Sequence, residues 1–127
     1  MTDVKGRRYL TNLQLITCVV ERGRADEVVK AAMKAGAPAA TIYFARGSGI
    51  RERLTILLKI AISPEKEVID IVAASDKADA IFEAMVEAGQ MDLPGKGFIY
   101  MMPVTRAVTH VPTPEEEEAA KRRRTKA

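Results

Sequence analysis

Two short glycine-containing segments carry residue types suited to binding phosphate. Their members are Gly47, Ser48 and Gly49 in the first segment, and Gly95, Lys96 and Gly97 in the second. Glycine lets the main chain approach phosphate oxygens and present N–H groups to them, and lysine adds a mobile positive charge. The alternative is a plain hairpin and a plain turn, because Pro-Gly and Lys-Gly are common turn signals.

The first segment is followed by the apolar run "LTILLKIAI", residues 54–62, and then by Lys66 between Glu65 and Glu67. A surface lysine flanked by glutamates is usually solvated, so Lys66 alone is weak evidence for a ligand site. The apolar run has two interpretations: a hairpin packed on the protein, or an arm that binds a partner, since glycine-rooted loops move and exposed apolar patches mark interfaces.

Length and composition indicate one globular domain. The chain has 127 residues, of which 47% are hydrophobic and 29% charged. No apolar run approaches the length of a membrane span and the first residues are polar, so we expect neither a span nor a secretion signal. We therefore expect a cytoplasmic protein with a single, buried cysteine, Cys18. Apart from the charged tail the chain is nearly neutral, which argues against nucleic acid as its main partner.

The supply of catalytic and metal-binding side chains is thin. His110 is the only histidine and has no cysteine near it, so a metal site or a Ser-His arrangement lacks parts. The carboxylates fall mostly on helix faces or in the tail, where no apolar pocket favours a general acid. We expect a protein that is not an enzyme, with no catalytic residue, no metal and no catalytic cofactor.

Apolar periodicity predicts a strand, a helix and a strand, and then the same order again. The predicted strands are residues 13–20, 38–46, 67–74 and 97–104. The predicted helices are residues 24–36, ended by Gly36, and residues 76–89, capped by Asp76 or Ser75. The segments "ADEVVKAAMKAG" and "ADAIFEAMVEAG" share five residues at equal positions, which indicates a duplicated unit.

Two such units give an α+β, ferredoxin-like βαββαβ fold, an antiparallel sheet with two helices on one face. The strands read as apolar on both sides, so something must cover the other face, and a symmetric oligomer is the economical solution. We expect a flexible N-terminus at residues 1–12, the domain at 13–111 and a charged tail at 112–127. The i, i+4 charge pairs of the tail can support a short exposed helix. A mobile, solvated tail is favoured over one whose basic residues contact an acidic partner or nucleic acid.

The order "GAPAATIYFARGSG", a loop, "PEKEVIDIV" and then "DLPGKGFIYMMPV" resembles the PII signalling family, in particular its divergent PII-like branches. The resemblance covers about residues 13–111. It implies a homotrimer of ferredoxin-like subunits that binds an adenine nucleotide (ADP, AMP or ATP) in each cleft between neighbours. It also implies a regulatory T-loop at about residues 47–66.

Several site residues are implied by this resemblance. Gly36 matches the helix-ending glycine and Thr41 the threonine near the adenine. The root of the T-loop is matched by Gly47, Ser48 and Gly49 with Lys66 at its far side, the B-loop by Gly95, Lys96 and Gly97, and a following arginine by Arg106.

Departures from the family pattern affect the expected ligand. Arg51 stands where the family has a glutamine that helps bind magnesium and 2-oxoglutarate, so we expect Arg51 to meet a small anion instead. Thr109 and Val111 replace two phosphate-binding arginines, so ADP or AMP should suit the cleft as well as ATP. Arg22, Arg24 and Arg46 are the candidates to compensate.

The leading interpretation is therefore a PII-like sensor that binds adenine nucleotide, with or without a small anion such as bicarbonate. It would regulate a transporter, an enzyme or a carboxysome-associated protein of carbon or nitrogen metabolism through its T-loop. The alternatives are a structural or metal-tolerance trimer similar to the CutA family, and a nucleic-acid binder that uses the basic tail.

Overall fold

The computed structural model describes residues 2–4, 6–47 and 64–126. Ser48, Gly49, Arg51 and the apolar run at residues 54–62 lie outside the described residues. Two compact units are present, Leu13–Pro103 and the combination of Met1–Asn12 with Val104–Ala127. The elements in chain order are β1 (Thr2–Val4), β2 (Arg7–Leu10), β3 (Leu13–Glu21), α1 (Ala25–Lys34), β4 (Thr41–Arg46), β5 (Glu65–Ala74), α2 (Ser75–Ala88), β6 (Gly97–Val104), β7 (Ala107–His110) and α3 (Pro114–Lys126).

The larger unit contains a four-stranded sheet in the order β4-β5-β3-β6. β5 lies antiparallel between β3 and β4, and α1 and α2 pack against each other and against the central strands. This arrangement is the ferredoxin-like βαββαβ fold that the order of elements predicted. Strand β6 occupies the predicted residues, while β4 is shorter than predicted and β5 begins two residues earlier.

The core lies between the helices and one face of the two central strands. Alternate residues of each strand are fully buried there because strand side chains point to opposite faces in turn. The fully buried members are Ile16, Cys18 and Val20 of β3, Ile69 and Ile71 of β5, Ala25, Val28 and Ala32 of α1, and Ile81 and Met85 of α2. Burial raises the pKa of the Cys18 thiol to about 11, which fits the predicted buried cysteine.

Helix α1 ends as the sequence predicted. Gly36 adopts φ +110°, and the N–H groups of Gly36 and Ala37 donate to the carbonyls of Met33 and Ala32. These two bonds form a Schellman motif, whose left-handed residue is most often glycine. The next strand begins only at Thr41, because residues up to Ala37 still complete the helix end.

Helix α2 departs from the sequence-based expectation at both ends. Ala74 is its N-cap residue and makes no side-chain hydrogen bond, so the predicted cap by Asp76 or Ser75 is wrong. The strand runs directly into the helix, which leaves Ser75 as the first helical residue. At the other end Gln90, not a glycine, adopts the left-handed conformation with φ +55°. The two helices therefore share a sequence pattern but not the same ending.

The smaller unit contains a three-stranded sheet in the order β1-β2-β7. Residues 1–12, expected to be a flexible N-terminus, contribute β1 and β2, and β2 pairs antiparallel with β7. Strand β7, which we placed in the domain at 13–111, thus pairs with the N-terminal segment. Polar, arginine-rich "RRYL" gave no strong strand signal, so only the pairing reveals it.

Residues 114–126 form α3, the tail helix that the i, i+4 charge pairs can support. The helix begins with a capping sequence that we overlooked. The Thr113 hydroxyl accepts a hydrogen bond from the N–H of Glu116 at 3.2 Å, and Pro114 occupies the first helical position. Acidic residues in the first turn and basic residues near the end also complement the helix dipole.

An exposed pair joins α3 to the end of β7. The Nε2 atom of His110 lies 2.5 Å from a carboxylate oxygen of Glu116. The hydrogen bond and charge of Glu116 raise the pKa of His110 above its ordinary 6.5, and the same hydrogen bond lowers the pKa of Glu116 below 4.5.

The pair should therefore make the attachment of α3 depend on pH. A raised histidine pKa contributes stability that is complete below pH 6.5 and is lost as the pH rises through the folded-state value. A lowered carboxyl pKa contributes stability above pH 4.5 that is lost as the pH falls through its own folded-state value. An NMR titration of the imidazole should give a pKa above 6.5.

Glu116→Gln should return the pKa of His110 towards its ordinary value, whereas Glu117→Gln on the same turn serves as the matched control. An imidazole pKa that is the same in the wild type and in Glu116→Gln would contradict the pair.

Candidate functional site

The two roots of the loop between β4 and β5 lie together. The N–H of Gly47 donates to the Pro64 carbonyl at 2.8 Å, which continues the antiparallel pairing of β4 with β5. A Cβ atom at Gly47 would lie 3.1 Å from the Cε atom of Lys66. The aliphatic stem of Lys66 therefore lies over Gly47, and a side chain there would press on it.

The flanking glutamates point away from Lys66. On a strand, neighbouring side chains occupy opposite faces, and those of Glu65 and Glu67 contact residues of the turn between β3 and α1. Lys66 shares its face with Asp70, away from the helices. In the described part of the chain no carboxylate lies within salt-bridge distance of the Lys66 ammonium group, although Glu21 is its partner in the strand register.

The second glycine segment forms the loop that enters β6. Gly95 has φ +76°, a conformation that side chains other than glycine rarely adopt. Gly97 is required for a different reason. A Cβ there would fall well inside van der Waals contact of the Val19 carbonyl oxygen and 3.1 Å from Cε of Met91. The loop is thus pressed against β3.

Both glycine segments lie at the same end of the sheet. Lys66 pairs with Glu21 at the end of β3, and Gly97 lies against Val19, two residues earlier on the same strand. Three strand spacings of about 4.8 Å separate β4 from β6, so the segments are about 14 Å apart. The structure therefore places Gly47, Lys66 and residues 95–97 at one end of the sheet.

Other predicted site residues lie elsewhere. Thr41 begins β4 and pairs with Asp70, about 13 Å along the strand from Lys66 at 3.3 Å per residue. Gly36, which precedes Thr41 in the chain, lies beside Lys77 of α2. A Cβ atom added at Gly36 would lie 3.8 Å from the Cδ atom of Lys77. Arg106 belongs to the smaller unit. Within the larger unit, the described residues predicted for the site are thus not all gathered in one place.

Two of the three arginines considered as extra phosphate ligands are already engaged. The Arg22 guanidinium forms a 2.8 Å ion pair with Glu65 and lies 5.5 Å above the centre of the Phe44 ring. Arg24 donates to the Ala88 carbonyl at 3.3 Å and lies 3.7 Å from Glu27. Arg46, exposed at the end of β4, is left as the third candidate.

The sheet face opposite the helices combines a polar centre with exposed apolar residues. Asp70 accepts hydrogen bonds from the hydroxyls of Thr17 at 2.8 Å and Tyr43 at 3.2 Å. Partial desolvation and the neighbouring Asp70 carboxylate raise the pKa of Tyr43. Around them Val72, Phe98, Tyr100 and Met102 expose 43%, 64%, 39% and 46% of their surface.

A family model for "Nitrogen regulatory protein P-II" matches residues 13–112, which include the whole four-stranded sheet and both of its helices. The chain belongs to the nitrogen regulatory P-II family. A curated relative, the nitrogen regulatory protein P-II of Cereibacter sphaeroides, is 30% identical over 100 residues, which are 76% of this chain and 89% of that protein. The P-II family is regulatory, which gives this chain a signalling role.

Solved P-II structures share the fold. The crystal structure of Arabidopsis thaliana PII bound to citrate superposes with a TM-score of 0.58 at 21% identity, and covers 74% of this chain and 78% of that chain. The family match also decides between the two fold-sharing families that we considered, because it assigns the chain to P-II rather than to the CutA family.

Sequence reasoning missed the contacts that orient Lys66 in this P-II chain. The alternating charges of "PEKE" were the available signal, since glutamates on either side of a lysine in a strand must face away from it. The hydrogen bonds of Asp70 were also missed in the sequence. A single carboxylate inside the apolar strand "VIDIVAA" indicates a polar contact on one face of the sheet.

Two further observations concern the described residues alone. Within residues 6–47 and 64–125 we find no cluster of three or more His, Cys, Asp or Glu side chains that could hold a metal ion. None of the helices in the described ranges is both long enough and apolar enough to cross a bilayer.

The close approach of Gly97 to β3 can be tested by Gly97→Ala. The added methyl group must displace the Val19 backbone, which should lower the free energy of unfolding by roughly 2 to 3 kcal/mol. Gly23→Ala is the matched control, because Gly23 has φ +93° but nothing within 4 Å of an added Cβ. It should cost only about 1 kcal/mol of backbone strain. Chemical denaturation measures both, and an equal or smaller loss for Gly97→Ala would refute the close-packing argument.

Proposed function

We propose that this chain is a cytoplasmic P-II signalling protein that binds an adenine nucleotide between subunits and regulates a target protein. The nucleotide, ADP, AMP or ATP, would contact the glycine segments and Lys66. The T-loop, at about residues 47–66, would meet the target. The target would belong to carbon or nitrogen metabolism, as a transporter, an enzyme or a carboxysome-associated protein.

The observation that carries this proposal is the position of Lys66. Its stem lies over Gly47 at the root of the loop, both flanking glutamates are held on the opposite face, and the ammonium group has no ion-pair partner among the described residues. A cation held in this way beside a glycine backbone suits a phosphate group.

The division of the predicted residues supports a site shared between subunits. Lys66 lies at one end of β5, whereas Thr41 and Gly36 lie towards the other end of β4. A nucleotide cleft formed by two copies would use one set of residues from each. The exposed apolar face around Phe98 and Val72 gives a surface on which a homotrimer would assemble.

A small anion is the proposed second ligand. The Arabidopsis PII structure of the same fold contains citrate, so a P-II protein accommodates an anion of that size. In this chain Arg51 would supply the positive charge, with bicarbonate as the preferred candidate and 2-oxoglutarate as the comparison.

Isothermal titration with ATP, ADP and AMP tests the proposal, with and without bicarbonate or 2-oxoglutarate. The wild type should bind about one nucleotide per subunit. Lys66→Met keeps the stem over Gly47 and removes only the ammonium group. It should weaken binding roughly 10- to 100-fold, the effect expected for one charged hydrogen bond. The anion that shifts nucleotide affinity identifies the second signal by linkage.

Lys30→Met, on an exposed position of α1, is the control and should bind as the wild type does. If folded wild-type protein binds none of the three nucleotides, the nucleotide-sensor function is wrong. If Lys66→Met binds as tightly as Lys30→Met, the phosphate role of Lys66 is wrong.

A further inference from the structure

The turn between β3 and α1, residues 22–24, contacts the elements that carry both glycine segments. It follows β3 directly, and its three residues are Arg22, Gly23 and Arg24. The sequence suggests both arginines only as phosphate ligands, but their side chains are directed at protein groups. Their contacts lie entirely within the larger unit.

On one side, the turn holds both roots of the T-loop. The N–H of Arg22 donates to the Glu65 carbonyl at 3.2 Å, and its guanidinium reaches the Glu65 carboxylate and the ring of Phe44 on β4. The carboxylate of Glu67 accepts hydrogen bonds from the N–H groups of Gly23 and Ala25. Glu67 therefore caps the start of α1, where the N-cap residue Arg24 makes no side-chain cap of its own.

On the other side, the same turn holds the helix that leads to residues 95–97. Arg24 is largely buried and donates to the carbonyl of Ala88, the last residue of α2. Carbonyls at a helix end lack partners within the helix, so a guanidinium there satisfies one of them and favours the negative end of the dipole. Arg24 thereby holds the end of the helix that precedes the B-loop segment.

From these contacts we infer that the turn at residues 22–24 couples the T-loop root to the B-loop, with Arg24 and Glu67 as its positioning residues. Neither side chain needs to touch the ligand. Arg24 sets the end of α2, Glu67 sets the root of β5 beside Lys66, and the N-terminus of α1 joins the two. The inference rests on the proposed function only in that the coupled segments are the proposed ligand loops.

Hydrogen exchange on the ligand-free protein tests the coupling without any nucleotide. Arg24→Met retains a long apolar stem and removes the hydrogen bond to Ala88. It should speed exchange roughly three- to tenfold at residues 89–97, and also at the distant Gly47 amide. Glu67→Met removes the contact at the other loop. It should speed exchange at the T-loop root and also at the distant residues 89–97.

The controls separate this coupling from general loosening. Glu27→Gln removes only the ion pair of Arg24 and should leave both loops unchanged. Glu67→Gln retains an acceptor oxygen and should lie closer to the wild type than Glu67→Met. If each methionine variant speeds exchange only beside its own substitution, or equally across β3 and β5, the coupling is refuted.

Nucleotide titration of the same variants then connects the coupling to binding. Arg24→Met and Glu67→Met should weaken nucleotide binding roughly three- to tenfold, while Glu27→Gln should not. If the wild type binds no nucleotide, the proposed function fails, but the exchange result still decides the coupling. If the wild type binds and both methionine variants bind equally well, the positioning role is refuted.

Discussion

The antiparallel pairing of β3 with β5 is the interaction on which the rest of the larger unit depends. Leu13 to Glu21 pair in continuous register with Ala74 to Lys66, and the remaining two strands add to the outer edges of this pair. One face carries the fully buried core beneath α1 and α2. A shift by one residue would move that apolar set to the opposite face, so the core fixes the register.

The same register determines which charges are available at the end of the sheet. Because side chains alternate, the buried positions of Ile69 and Ile71 oblige Glu67 to face the helices and Lys66 to face the other way. Glu67 then meets the unsatisfied N–H groups at the start of α1. The core, the helix cap and the orientation of the lysine are thus consequences of one strand pairing.

Much of this fold could be predicted from the sequence because its signals are local. The spacing of apolar residues predicted β3, β6, α1 and α2. Gly36 correctly marked the end of α1, because only glycine adopts its positive φ without strain. Strands β1 and β2 could not be predicted, since their composition is polar and β2, which pairs with β1, joins β7 about 100 residues away. Helix α3 could have been predicted from Thr113 and Glu116, whose spacing is that of a capping box.

The candidate site was only partly predictable, for a physical reason. Glycines and a lysine indicate where a backbone can approach a phosphate, but not where neighbouring charges point. That Arg22 and Arg24 serve the protein's own loops follows from their contacts with Glu65 and Ala88, which are more than 40 residues away in sequence. Long-range contacts of this kind leave no local pattern.

The sheet face opposite α1 and α2 limits what can lie next to the candidate site. Asp70 lies on it with both carboxylate oxygens satisfied by hydroxyl groups, which lowers the cost of removing that carboxylate from water. Phe98, Tyr100 and Met102 on the edge strand β6 remain exposed. Because Asp70 already has its hydrogen bonds and the surrounding apolar side chains are exposed, this face is suited to an interface with another surface. Since both glycine segments emerge at one end of this sheet, whatever covers the face also borders them.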